Sequence, residues 1–215
     1  MRTARRCIPK APKNSIWYLI DACFLVNKYL DETRTKDQGE IDSISAAKQY
    51  WKIIDQQLSK GQCKIFILDV CIAEAFKVLA KKRYQKSTLI KSAVEYNRTC
   101  AKMSEELRLT TKEAKRQIRT IRYHDIQTCR DIILGIDRFF EATYKRGGAG
   151  LGTVDLMLLS TGKYLMDFYG FTKADLFLIT QDKVLYKIAR SLNDLPKTFN
   201  PQEAKDNYKK VFISA

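Results

Sequence analysis

Four acidic residues, Asp21, Glu74, Asp155 and Asp182, owe their interest to what precedes each of them in the chain. Asp21 ends the apolar run Ile16-Trp17-Tyr18-Leu19-Ile20. Glu74 follows a second run, Ile65-Phe66-Ile67-Leu68-Asp69-Val70, and opens a helical pattern through Phe76, Val78 and Leu79. Asp155 stands early in the amphipathic stretch from Leu151 to Met166, and Asp182 comes directly after Leu176-Phe177-Leu178-Ile179-Thr180-Gln181. A single carboxylate at such a place is often a helix cap, because negative charge is favourable near a helix N-terminus. Four of them at strand ends or helix starts predict a converging cluster, since open α/β sheets build their sites at the carboxyl ends of the strands. Carboxylates within ~4 Å of one another repel by roughly 4 kcal/mol per pair at an effective dielectric near 20. Such a cluster persists when protons or a divalent cation compensate it.

Residue supply excludes the competing chemistries. His124 is the sole histidine and falls in a basic, helix-patterned region, so it reads as a surface or interhelical residue. Without a second histidine, His-rich zinc sites and a Ser-His-Asp triad are unsupported. There is no G-x-S-x-G elbow, and Asp21-Ala22-Cys23 lacks the second aspartate of a D-x-D phosphatase. Gly147-Gly148-Ala149-Gly150-Leu151-Gly152 follows a helical pattern and fits no phosphate-loop spacing, so it reads as a hinge before the Asp155 helix. Gly162-Lys163 lacks the upstream glycine and the following Ser/Thr of a nucleotide loop. What remains is an all-oxygen ligand set, which suits Mg²⁺ or Mn²⁺.

The elements that must position these acids alternate. Strand-like runs fall at 16–21, 65–70, 176–180 and 211–213 (Val211-Phe212-Ile213). Helical patterns fall at about 22–30, 44–59, 71–84, 88–145, 153–168 and 182–193. Strands separated by helices imply crossovers, hence a mostly parallel sheet covered on both faces. Near-continuous apolarity in the runs agrees with strands buried on both sides. Gly61 after Lys60 reads as a C-terminal helix stop. From Thr88 to Tyr144 no strand signal is visible, and this region is expected to be helices that add no strand to the sheet.

A chain of 215 residues fits one domain with an insertion. The net charge of +15 is unevenly placed: Met1–Lys13 holds five basic and no acidic residues, and Lys77–Arg146 holds 18 basic against 8 acidic. Clustered Lys and Arg predict a phosphate-binding surface, with Lys112, Lys115, Arg116, Arg119 and Arg122 as candidate nucleic-acid contacts. No apolar run reaches membrane-spanning length, and the first residues lack the apolar core of a secretory signal. Six cysteines form no C-x-x-C pair, and Cys23 and Cys71 fall in apolar segments, which predicts buried reduced thiols and an intracellular, cytoplasmic protein.

Strand-Asp21, Glu74 at a helix start, Val154-Asp155-Leu156 in a later helix, and Ile179-Thr180-Gln181-Asp182 after a third strand resemble the PIN-domain nucleases. The resemblance covers most of residues 14–215, outside a basic N-terminal arm (1–13) and a basic helical insertion at about 86–148. It implies a three-layer α/β/α sandwich around a central, mostly parallel sheet of four to five strands. It also implies an Mg²⁺- or Mn²⁺-dependent endoribonuclease, in many members the toxin of a toxin–antitoxin pair. Carried over position by position, Asp21, Glu74, Asp155 and Asp182 are the catalytic and metal-binding acids, and Thr180 lines the site. RNA is the implied substrate, with an antitoxin-like inhibitor and a homodimer as implied partners. The long stretch between Glu74 and Asp155 departs from the compact toxins. Two alternatives stay open: an RNA-binding PIN module without cleavage, and a structure-specific DNA nuclease.

Overall fold

The computed structural model describes residues 16–85, 89–108, 123–144 and 150–203. Five candidate nucleic-acid contacts (Lys112, Lys115, Arg116, Arg119, Arg122), the arm 1–13, glycines 147 and 148 and the expected strand at 211–213 lie outside them.

Five strands form one sheet: β1 (Ile16–Ile20), β2 (Cys63–Leu68), β3 (Tyr123–Ile126), β4 (Leu176–Ile179) and β5 (Lys197–Phe199). Their spatial order is β3-β2-β1-β4-β5, and every pairing is parallel. The chain therefore moves outward from β1 to β2 and β3, then returns to the other side of β1 for β4 and β5. That reversal puts the switch point of the sheet between β1 and β4, and such sheets bind ligands beyond the carboxyl ends of the strands there. The expected PIN-like α/β/α sandwich is thus present, with helices on both faces of the sheet.

Paired residues of parallel strands share a face, so register sorts the core into two layers. Tyr18, Ile65, Tyr123 and Phe177 face one way. Helix α2 (Gln38–Ser59) covers that side through Ile44, Ala47, Trp51, Ile54 and Leu58 at helical spacing. The Tyr18 hydroxyl donates to Gln57 Oε1 at 2.7 Å. Leu19, Phe66, His124 and Leu178 face the other way. There α7 (Thr153–Tyr169) crosses the sheet at Gly162, where an added Cβ would lie 3.1 Å from the Pro196 ring and 3.6 Å from Leu19. Gly162, which carries no nucleotide motif, serves close packing. Gly61, with φ +68°, ends α2 as the sequence predicts.

Helices α1 (Ala22–Asn27), α3 (Asp69–Tyr84) and α8 (Lys183–Arg190) follow β1, β2 and β4. Helix α3 begins at Asp69, so the second strand ends two residues sooner than its apolar run suggests, and α1 stops at Asn27 instead of continuing to 30. Helix α2 starts six residues before its apolar periodicity, because the Asp37 carboxylate caps a polar first turn by accepting from the Glu40 N–H at 2.8 Å.

The central region departs from expectation. Helices α4 (Ala93–Arg108), α5 (Arg130–Leu134) and α6 (Asp137–Tyr144) are present, but Tyr123–Ile126 between them is a strand, paired with β2 at the sheet edge. Tyr-His-Asp-Ile has no apolar run to betray it, because an edge strand pairs on one side and only Tyr123 of the four is buried. His124 is accordingly a strand residue beside Phe66 and Trp17, with its pKa lowered by burial and by Lys64. Helix α4 is fastened by Glu106, whose Oε2 accepts from Lys28 Nζ at 2.7 Å, Tyr29 OH at 2.9 Å and Tyr123 OH at 3.4 Å. Lys28 also lies 4.5 Å from the Trp51 ring centroid. No helix among the described residues is long and apolar enough to cross a membrane.

Candidate active site

Asp21 leaves β1 in extended conformation and caps α1, its Oδ1 accepting from the Phe24 N–H at 2.7 Å. Its Oδ2 accepts from the Thr180 hydroxyl and from the Gln181 N–H at 3.2 Å, so the loop after β4 is bonded to the end of β1. The residue is 5% exposed. Burial lifts its pKa to about 6, against the lowering effect of its three donors, and the negative charge of Asp182 adds to the rise.

Asp182 caps α8, its Oδ1 accepting from the Val184 and Leu185 N–H groups at 2.7 and 2.8 Å, while its own N–H donates to Thr180 Oγ at 3.0 Å. Thr180 is fully buried between the two aspartates and bonds to both residues. Asp155 is the third residue of α7, and its Oδ2 accepts from the Gly152 N–H at 3.2 Å. Glu74 projects from the second turn of α3, a helix packed against both α1 and α7.

The four acids share one electrostatic environment. Asp155 has its pKa raised to about 7, first by burial and then by the charges of Asp182, Glu74 and Asp21. The buried Cys71 thiol is pushed well up by burial and by Asp21, Glu74 and Asp155, which places those acids around one region from a second vantage. Cys71 is buried as the sequence suggests, whereas Cys23, two residues beyond Asp21, is exposed; both are free thiols. Helix capping accounts for local hydrogen bonds of Asp21, Asp155 and Asp182. It accounts neither for Glu74 nor for the mutual charge coupling of acids drawn from four separate elements.

Among the described residues, no three His, Cys, Asp or Glu side chains are disposed as a ready cation cage. Several carboxylate oxygens are engaged by hydrogen bonds, as above, and repulsion favours holding the rest apart. The donor set nevertheless fits a hard divalent ion. Among the described residues Glu74 and the second oxygens of Asp155 and Asp182 accept no hydrogen bond, and Mg²⁺ commonly binds through one or two carboxylates with water completing its shell.

Sequence reasoning overlooked the polar residues behind the acids. Gln181, Asn27 and Ser43 form a hydrogen-bonded group below Asp21. Their types carry no spacing signal, and Gln181 was legible merely as the residue between Thr180 and Asp182.

No protein-family model matches the chain, and no curated protein matches it. Solved structures similar to it include the following three. One is VapBC2 from Rickettsia felis bound to a DNA fragment from their promoter: 13% identity, TM-score 0.48, covering 86% of this chain and 98% of that one. Another is PAE2754 from Pyrobaculum aerophilum, at 16% identity and TM-score 0.42, covering 87% and 91%. The third is VapBC-1 from nontypeable Haemophilus influenzae, at 12% identity and TM-score 0.45, covering 86% and 98%. These are likenesses of fold.

Proposed function

We propose that the chain is a divalent-metal-dependent endoribonuclease that hydrolyses phosphodiester bonds at Asp21, Glu74, Asp155 and Asp182. The observation that carries this reading is geometric: Thr180 joins Asp21 and Asp182 at the carboxyl ends of β1 and β4, and the helix that carries Glu74 packs against α1 and against α7, which carries Asp155. An accumulation of negative charge there calls for a cation, and the oxygen donors suit Mg²⁺ or Mn²⁺. Such an ion, when bound, supplies positive charge against the negative charge that develops on the scissile phosphate. Glu74, Asp155 and Asp182 would hold it with the oxygens that no hydrogen bond engages. Asp21, fixed on both oxygens by Phe24, Thr180 and Gln181, would keep a constant orientation behind them.

RNA over DNA, and an inhibitory protein partner, rest on the sequence resemblance. An RNA-binding module without cleavage is the second reading, favoured by the lack of a ready cation cage among the described residues. Incubating the pure chain with labelled single-stranded RNA, tRNA and DNA in Mg²⁺, Mn²⁺ or EDTA separates these. Expected is RNA cleavage with either cation, abolished by EDTA and by Asp21→Asn. Cleavage undiminished in EDTA or in Asp21→Asn would sink the metal-site reading, and binding without cleavage would favour the module.

A further inference from the structure

We infer that Gln181 is a positioning residue for the acidic site, acting through Asn27 and Ser43. The inference rests on the metal-dependent reading above and adds a component to it. Gln181 is buried, although it lies between Thr180 and Asp182 at the rim of the sheet. Its backbone N–H donates to Asp21 Oδ2 at 3.2 Å, while its side chain turns inward. There Gln181 Oε1 accepts from Asn27 Nδ2 at 2.7 Å, and Gln181 Nε2 donates to the Ser43 carbonyl at 2.7 Å and to Ser43 Oγ at 3.0 Å. Asn27 Nδ2 also donates to Ser43 Oγ at 3.2 Å.

The placement of these partners gives the group its consequence. Asp21 caps one end of α1 and Asn27 is the last residue of the same helix, so Gln181 is bonded to both ends of α1 at once. Ser43 belongs to α2, the long helix behind the sheet, which anchors the group to the core. The loop carrying Asp182 therefore cannot shift against Asp21 without breaking bonds to two helices. Buried amides with both ends satisfied hold one orientation, because each alternative leaves a polar group unpaired. Against repulsion between acids of like charge, such a brace sets the separation at which a cation finds them. Groups that orient ligands from behind typically change metal affinity by 10–100-fold.

Substituting Gln181→Met keeps the length of the stem and the backbone N–H but removes the polar head. Mn²⁺ binding to the full chain, followed by the electron-spin signal of the free ion, should then weaken by about tenfold or more. The kcat on RNA should fall further than KM changes. Ser43→Ala, which removes the hydroxyl but spares the 2.7 Å bond to the Ser43 carbonyl, should weaken Mn²⁺ binding less than Gln181→Met does. If Gln181→Met does not fold, Asn27→Leu opens the brace from the α1 side and should give the same loss. A merely structural role would lower the melting temperature of the folded variants and leave their Mn²⁺ affinity unchanged; that result overturns the inference. An unaltered chain that binds no Mn²⁺ overturns the metal reading itself, and is recognised before any variant is made.

Discussion

At the residue scale, the acids were legible in the sequence because each stands at a change of pattern, from apolar run to helix. Their individual environments were not legible. Nothing in Ile179-Thr180-Gln181-Asp182 tells that Asp21 would be buried with three donors while Asp182 stays exposed. That difference comes from which strand lies beside which, a property of topology. It has a testable consequence in the chelated protein. Asp21 and Asp155 have folded-state pKa values near 6 and 7, above their ordinary 3.8. Between about pH 4 and pH 7 the folded chain holds protons that the unfolded chain has released, so these two groups lower stability as pH rises through that window. For Asp21 alone a rise of about two units corresponds to about 3 kcal/mol. Melting in EDTA should therefore occur at lower temperature at pH 7.5 than at pH 5, and added Mn²⁺ should restore the loss by mass action. In Asp21→Asn the pH difference should shrink; if it persists in full, burial of this carboxylate is not its source.

At the element scale, strands buried on both faces announced themselves and strands at the edges did not. Strands β1 and β4, and β2 from Ile65 onward, are continuous apolar runs because helices cover both their sides. Strand β3 reads Tyr-His-Asp-Ile and β5 reads Lys-Thr-Phe, too short and too polar for any periodicity. The first turn of α2 was missed for a similar reason, since capping replaces apolar spacing there. Glu106 presents the sharpest expectation at this scale. It gathers an ammonium group and two phenol hydroxyls from the turn that ends α1 and from β3, partly shielded from water. Glu106→Ala would leave Lys28 without its carboxylate, costing about 2–3 kcal/mol in urea unfolding. A loss under half a kcal/mol would mean that Glu106 does not hold α4 in place.

For the whole molecule, the surplus charge is confined to the first 13 residues and the segment 77–146, while the acids lie in the remainder of the fold or, for Glu74, just before that segment. Holding and cutting should thus be separable. Neutralising Lys112, Lys115, Arg116, Arg119 and Arg122 together should weaken nucleic-acid binding across sequences. It should flatten the salt dependence by about one unit of slope for each phosphate that is no longer neutralised. Turnover at saturating substrate should change much less than in Asp21→Asn, since groups that bind phosphates position the strand. Equal affinity of parent and variant at low and high salt would show that these charges do not bind phosphate.

Strand β3 comes from the very stretch that a reader of the sequence would set aside as an addition. A chain lacking residues 86–148 would end its sheet at β2, whose backbone N–H and C=O groups would then stand bare along one flank. Such a flank invites pairing with another copy. Residues 123–126 are therefore a wall of the building, and anyone trimming this protein to a minimal version must carry them along.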